Sequence, residues 1–232
     1  MSTSDRGERQ RRTDAATRIT LRPVGSSLPL GFLALGGASV ALSGLQLGWL
    51  PATAGHEVAI VVLVFAVPAQ LLASVFGFLA RDSAGGTGMS VLAGSWLTVG
   101  VLQLTSRSGQ PDPTLGLLLF FASAALMIPA AAAALGKVLA AIGLFMAAVR
   151  FALTGIYEFG GAGAGWQHAS GWFGLALVVV ALYSALAFEI EDTQRATVLP
   201  VLRWSTGKRA VTGGILDEVE RVSREAGVRE QL

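Results

Sequence analysis

The sequence predicts an all-α integral membrane protein of six transmembrane helices with both termini cytoplasmic, and three observations carry that expectation. Of the 232 residues 53% are hydrophobic and only 14% charged, with a mean hydropathy of +0.61; a soluble domain carries about a quarter charged residues. The charges collect at the ends, six of the 17 Lys/Arg preceding residue 23 and seven following residue 190. The charge-poor centre divides into six apolar runs, each near the roughly 20 residues a helix needs to cross the hydrocarbon core.

Residues 1–25 form an Arg-rich tail, read as disordered and cytoplasmic. Its polar start is too long for the n-region of a cleaved signal peptide, and the apolar run behind it is too long for an h-region. A membrane domain over 26–202 follows, with helices at about 29–50, 58–79, 87–104, 115–135, 137–157 and 168–190. The first carries Ser39, Ser43 and Gln46, with Gly44 and Gly48 in the G-x-x-x-G spacing that lets membrane helices approach closely. In the second, Gln70 and Ser74 stand one turn apart behind Pro68, and the third, the shortest, has Ser95 and Thr98 beside Trp96. The fourth and fifth are separated by a turn at Gly136, and the sixth follows "EFGGAGAGWQ". Proline and glycine mark nearly every connection. Residues 203–232 form a second tail, where "ILDEVERVSREAGVRE" puts Ile215, Val219, Val222 and Ala226 on one face and pairs Asp217–Arg221, Glu220–Arg224 and Glu225–Arg229 at i,i+4. That pattern predicts a short amphipathic helix.

With the N-terminus inside, fifteen of the basic residues fall on the cytoplasmic side, Arg107 alone falls outside, and Arg150 lies in the membrane. This is the positive-inside distribution of a multi-pass plasma-membrane protein. Trp49, Trp166 and Trp172 then sit near the outer interface, where indole rings prefer to lie.

The same residues exclude several function classes. There is no cysteine, hence no disulfide, thiolate metal site or cysteine nucleophile. His56 and His168 have no metal-ligand spacing to each other or to acids, so no metal and no cofactor is expected. "GGAGAG" lacks the Lys-Ser/Thr of a phosphate loop, and a net charge of +2 spread over the chain does not argue for nucleic acid. No serine has a base beside it in sequence, and an enzyme is not expected.

Arg150 is the costliest intramembrane residue, at roughly 2.5–3.5 kcal/mol for a central position. It is followed by Thr154, Tyr157 and Glu158 at i+4, i+7 and i+8, a polar stripe on an otherwise apolar helix. Either the stripe lines an aqueous path along which Arg150 attracts an anion, or Arg150 is tied to Glu158 or to a carbonyl of a neighbouring helix. Hydroxyls elsewhere in the spans read as interhelical hydrogen-bonding groups.

Four stretches together resemble the acetate uptake transporter (succinate–acetate permease) family. They are Pro29-Leu30-Gly31 opening the first helix; Ala69-Gln70-Leu71-Leu72-Ala73 in the second; Trp96-Leu97-Thr98 in the third; and Gly171-Trp172-Phe173-Gly174-Leu175, then Tyr183, then Thr197-Val198-Leu199-Pro200. Ser26 and Ser27 replace the Asn and first Pro of the family's opening motif, Gly77 stands where members carry a glutamate, and Arg81-Asp82-Ser83-Ala84-Gly85 replaces G-N-T-F-G. The resemblance implies a six-helix protomer in a hexameric homo-oligomer that moves acetate, succinate or related carboxylates, with a proton or down a gradient. It also implies a constriction at Leu35, Leu92 and Val149; the intramembrane polar residues Arg150, Thr154, Gln70, Ser95 and Thr98 are expected, on their own chemistry, along the path, Arg150 at a place where a typical member needs no charge. An arginine bordering that path would draw carboxylate by its potential and pair with it through two hydrogen bonds. Other expectations are a sensor or scaffold of the same fold with an occluded path, and a channel for another small solute such as ammonium or urea.

Overall fold

A computed structural model describes residues 25–105, 110–160, 163–194 and 197–203. Residues 1–24 and 204–232, including the amphipathic 215–230 segment, lie outside the described residues, as does Arg107. Six helices are long and apolar enough to span a bilayer: α1 Leu28–Gln46, α2 Ala52–Leu79, α3 Ser83–Thr105, α4 Pro113–Ala134, α5 Val138–Gly160 and α6 Ala164–Gln194. Large apolar side chains such as Val64, Phe121, Ile128, Leu135 and Val179 point outward at 68–73% exposure, as lipid-facing positions do in a multi-pass membrane protein.

The helices close into a ring. Each packs on its chain neighbour, and α1 also packs along α6. Leu28 and Gln194 lie at one end of the ring (the near end), and Gly48, Gln110 and Gln167 at the other (the far end). Lipid supplies no hydrophobic drive to pair helices, so the contacts depend on small residues that admit a neighbour's side chain or backbone. Gly143 of α5 accepts the ring of Phe32, which also stacks on Phe188 at 5.9 Å, and Gly88 of α3 accepts Leu144. At Gly77 an added Cβ would lie 3.0 Å from the Gly86 nitrogen, so the place where the resembled family carries glutamate is here a close crossing of α2 and α3.

Two boundaries differ from the sequence expectation for identifiable reasons. α1 stops at Gln46 because Gly48 adopts φ +72°, and the Gly48 and Trp49 amides return to the Leu45 and Gly44 carbonyls. That is a glycine-dependent helix stop, so Gly48 terminates a helix rather than packing one. α3 begins at Ser83, absorbing Gly85, Gly86 and Gly88, which the sequence assigns to the connection or to its edge. Within α2, the turn Val62–Ala66 is widened to π geometry just before Pro68, whose missing N–H would otherwise interrupt the ladder.

The near end is tied by charge. Lys137 Nζ donates to Asp82 Oδ2 at 2.6 Å, joining the starts of α3 and α5. Segment 197–203 lies across the start of α5, with Val201 buried, and its Arg203 is paired with the buried Glu191 of α6. Thr197 donates to the same carboxylate at 2.8 Å, and Tyr183 Oη donates to the Pro200 carbonyl at 3.1 Å. Glu191→Ala leaves Arg203 without its acceptor and is expected to cost about 2 kcal/mol, read as a lower thermal midpoint of the detergent-solubilised protein.

Candidate functional site

Polar residues of α1, α5 and α6 meet inside the ring. Ser39, Ser43 and Gln46 repeat at i, i+4 and i+7 and therefore share one face of α1. Arg150 of α5 faces them, fully buried, and its Nη2 is shared among the Ser39 carbonyl at 3.2 Å, Ser43 Oγ at 3.2 Å and Gln46 Oε1 at 3.4 Å. One turn on, Thr154 Oγ1 donates to the Arg150 carbonyl, accepts from Gln46 Nε2 at 3.4 Å and lies 2.6 Å from Ser170 Oγ of α6. The guanidinium carbon sits 5.8 Å from the centre of the Trp96 ring, which meets Phe151 edge-on at 5.3 Å. α6 leaves room for this arginine only through Gly174: a Cβ there would stand 2.7 Å from Cζ and 2.8 Å from Nε.

Among the described residues no carboxylate pairs with Arg150. Its Nε and Nη1 have no partner there, nor do Trp96 Nε1 and Ser39 Oγ. A buried charge is normally paired, and an unpaired one costs several kcal/mol. Arg150 is among the residues lining a cavity of about 240 Å³, large enough for a small organic ion and several waters, with the unpartnered guanidinium nitrogens withdrawn behind the cavity surface. Its floor is Arg150, its walls include Leu42, Val99, Leu119 and Phe151, and its far-end rim includes Gln110, Asp112, Glu158 and Gln167. Asp112 caps α4 by accepting from the Thr114 and Leu115 amides, and Glu158 Oε2 accepts from the Asp112 amide at 2.9 Å. Glu158 thus holds the start of α4 and does not pair with Arg150. The arrangement holds a positive charge directly behind the floor of a pocket walled in part by apolar side chains.

Arg150, Thr154, Tyr157 and Glu158 all line the cavity, so the stripe read from the sequence faces one space. The other anticipated path residues lie elsewhere. Ser95 and Thr98 donate to carbonyls of their own helix, Val91 at 2.7 Å and Gly94 at 3.0 Å. Gln70 is fully buried away from the cavity lining, and neither amide atom has a partner among the described residues. Leu35 and Leu92 lie in the core, one turn nearer the near end than Ser39 and Trp96, and Val149 is partly buried beside Arg150.

Of the residues that carry the family resemblance, Gly31, Gly171 and Gly174 are close-packed against side chains, whereas Leu30, Trp172 and Tyr183 are exposed. Pro29 opens α1, Leu30 points outward, Gly31 abuts Met89, Gly171 abuts Leu47, and Trp172 meets Trp49 edge-on at 6.4 Å. Ser170 and Asp112 are site residues that sequence reasoning did not select. Ser170 gives no local signal, whereas Asp112, directly before Pro113, has the pattern of an N-cap.

No family model and no curated protein matches this sequence. Among solved structures the chain is similar to the bacterial acetate channel SatP, with a TM-score of 0.67 and 22% identity over 76% of this chain and 98% of that one. At that identity the likeness shows a shared six-helix membrane fold.

Proposed function

We propose that this protein moves small carboxylates across the membrane, with Arg150 as the site where the carboxylate binds. The observation that carries the proposal is the buried guanidinium, two of its nitrogens unpartnered among the described residues, directly behind the floor of an open cavity. The shared fold with an acetate channel supports acetate as a first substrate to test. The distribution of Lys/Arg supports a plasma-membrane protein with both termini cytoplasmic, and the resemblance supports a homo-hexamer.

The test is uptake of labelled acetate into proteoliposomes of the purified chain, with and without an inward proton gradient. Uptake above empty liposomes supports transport, and its dependence on the gradient separates symport from a channel. Gly174→Ala is a second check. The added methyl meets Ser43 Oγ as well as the guanidinium and shifts both without removing the charge, and acetate affinity is expected to fall about tenfold.

A second reading rests on the fully buried Leu35 and Leu92 beyond the cavity floor. If this packing persists, the same site is the ligand pocket of a membrane sensor. Binding of acetate by the purified protein without uptake selects that reading.

A further inference from the structure

The cavity is bipolar, and a simple anion uses only half of it. Among the described residues its floor is backed by the Arg150 cation, whereas its rim carries the carboxylates of Asp112 and Glu158, with the apolar side chains of Leu42, Val99 and Leu119 between. A plain carboxylate must pass the acidic rim to reach the arginine, and its tail then ends beside negative charge. A dicarboxylate fares worse, because like charges at close range repel. A molecule with a carboxylate at one end and a cation at the other satisfies both poles. We infer that the preferred ligand class is the short ω-amino acid, bound with its carboxylate on Arg150 and its ammonium at the rim beside Glu158 and Asp112.

The length follows from the helix. Arg150 and Glu158 are eight residues apart on α5, about 12 Å along the axis, and the guanidinium stays near its own level, sharing the Gln46 amide with Thr154 one turn toward the rim. Allowing about 3 Å for a hydrogen bond at each end leaves on the order of 6 Å between the ligand's charged ends. That is the reach of an extended amino acid of about five carbons. Each rim carboxylate has one oxygen held by the backbone, Asp112 Oδ1 by two amides and Glu158 Oε2 by the Asp112 amide, so the poles are fixed before a ligand arrives. The inference rests on Arg150 being the carboxylate site.

The experiment is competition against labelled acetate, bound or taken up by the purified full-length protein, by three five-carbon compounds: pentanoate, 5-aminopentanoate and glutarate. The expected result is that 5-aminopentanoate competes at about one-tenth the concentration of pentanoate, with glutarate the weakest. Equal competition by pentanoate and 5-aminopentanoate, or stronger competition by glutarate, overturns the bipolar assignment while leaving the carboxylate site standing. Absence of any acetate binding or uptake overturns both. Glu158→Gln keeps an oxygen for the Asp112 amide but removes the rim charge, and it should bring the ratio between 5-aminopentanoate and pentanoate toward one. A ratio unchanged in that variant also counts against the assignment.

Discussion

Arg150→Gln is expected to lower carboxylate affinity by roughly 30- to 150-fold, the loss of about 2–3 kcal/mol from a charge-assisted hydrogen bond in a buried site. The fold should survive the change. No carboxylate depends on the arginine among the described residues, so its removal strands no opposite charge. The cost of burying a guanidinium disappears at the same time. Thermal unfolding in detergent should therefore place Arg150→Gln at or above the parent, while acetate no longer raises its midpoint. A ligand-binding role and a purely structural one separate here. Were the arginine kept only for its hydrogen bonds to Ser39, Ser43 and Gln46, the variant would lose stability and retain its response to acetate.

The largest loss of stability is expected at Gly116. A Cβ there would lie 2.7 Å from the backbone nitrogen of Phe159 and 2.8 Å from its Cα, and Gly155 faces the Gly116 carbonyl across the same crossing. A side chain in the way can change rotamer, but a backbone cannot. Gly116→Val must therefore separate α4 from α5, at a cost of about 3 kcal/mol. The crossing also carries the Glu158 contact to the Asp112 amide, so the cavity rim opens with it. The measurement is the thermal midpoint of the solubilised protein, with Gly165→Ala as control. No atom lies within 4 Å of a Cβ at Gly165, and an exposed change of that kind stays within about 0.5 kcal/mol.

Six spans were legible because hydropathy over some 20 residues is a local property. Their ends were less so. Gly85, Gly86 and Gly88 have the composition of a loop, and they are helical because Asp82 caps the helix start through the Gly85 amide and because Phe78 and Leu144 pack against them. The stripe Arg150, Thr154, Tyr157, Glu158 was legible for the same reason as the spans, since i, i+4, i+7 and i+8 share a face wherever a helix forms. Its counterpart Ser39, Ser43, Gln46 was equally periodic. Nothing local joins two polar faces more than 100 residues apart, and the register that sets Nη2 among three acceptors belongs to the ring alone. Ser95 and Thr98 show the converse: hydroxyls in a span satisfy themselves on their own helix when no cavity reaches them.

The contact of α1 with α6 has a consequence for synthesis. Helices enter the membrane in chain order, so α1, which holds the acceptors for Arg150, is made first, and α6, whose Gly174 gives that arginine its space, is made last. Between those events α5 arrives bearing a charge that lipid will not accommodate. The nascent chain must therefore keep α1 within reach at the insertion site while four more helices are added. Ribosome and membrane together impose an order of assembly in which the first helix waits for the fifth, and the ring shuts around the arginine only when the sixth is in place.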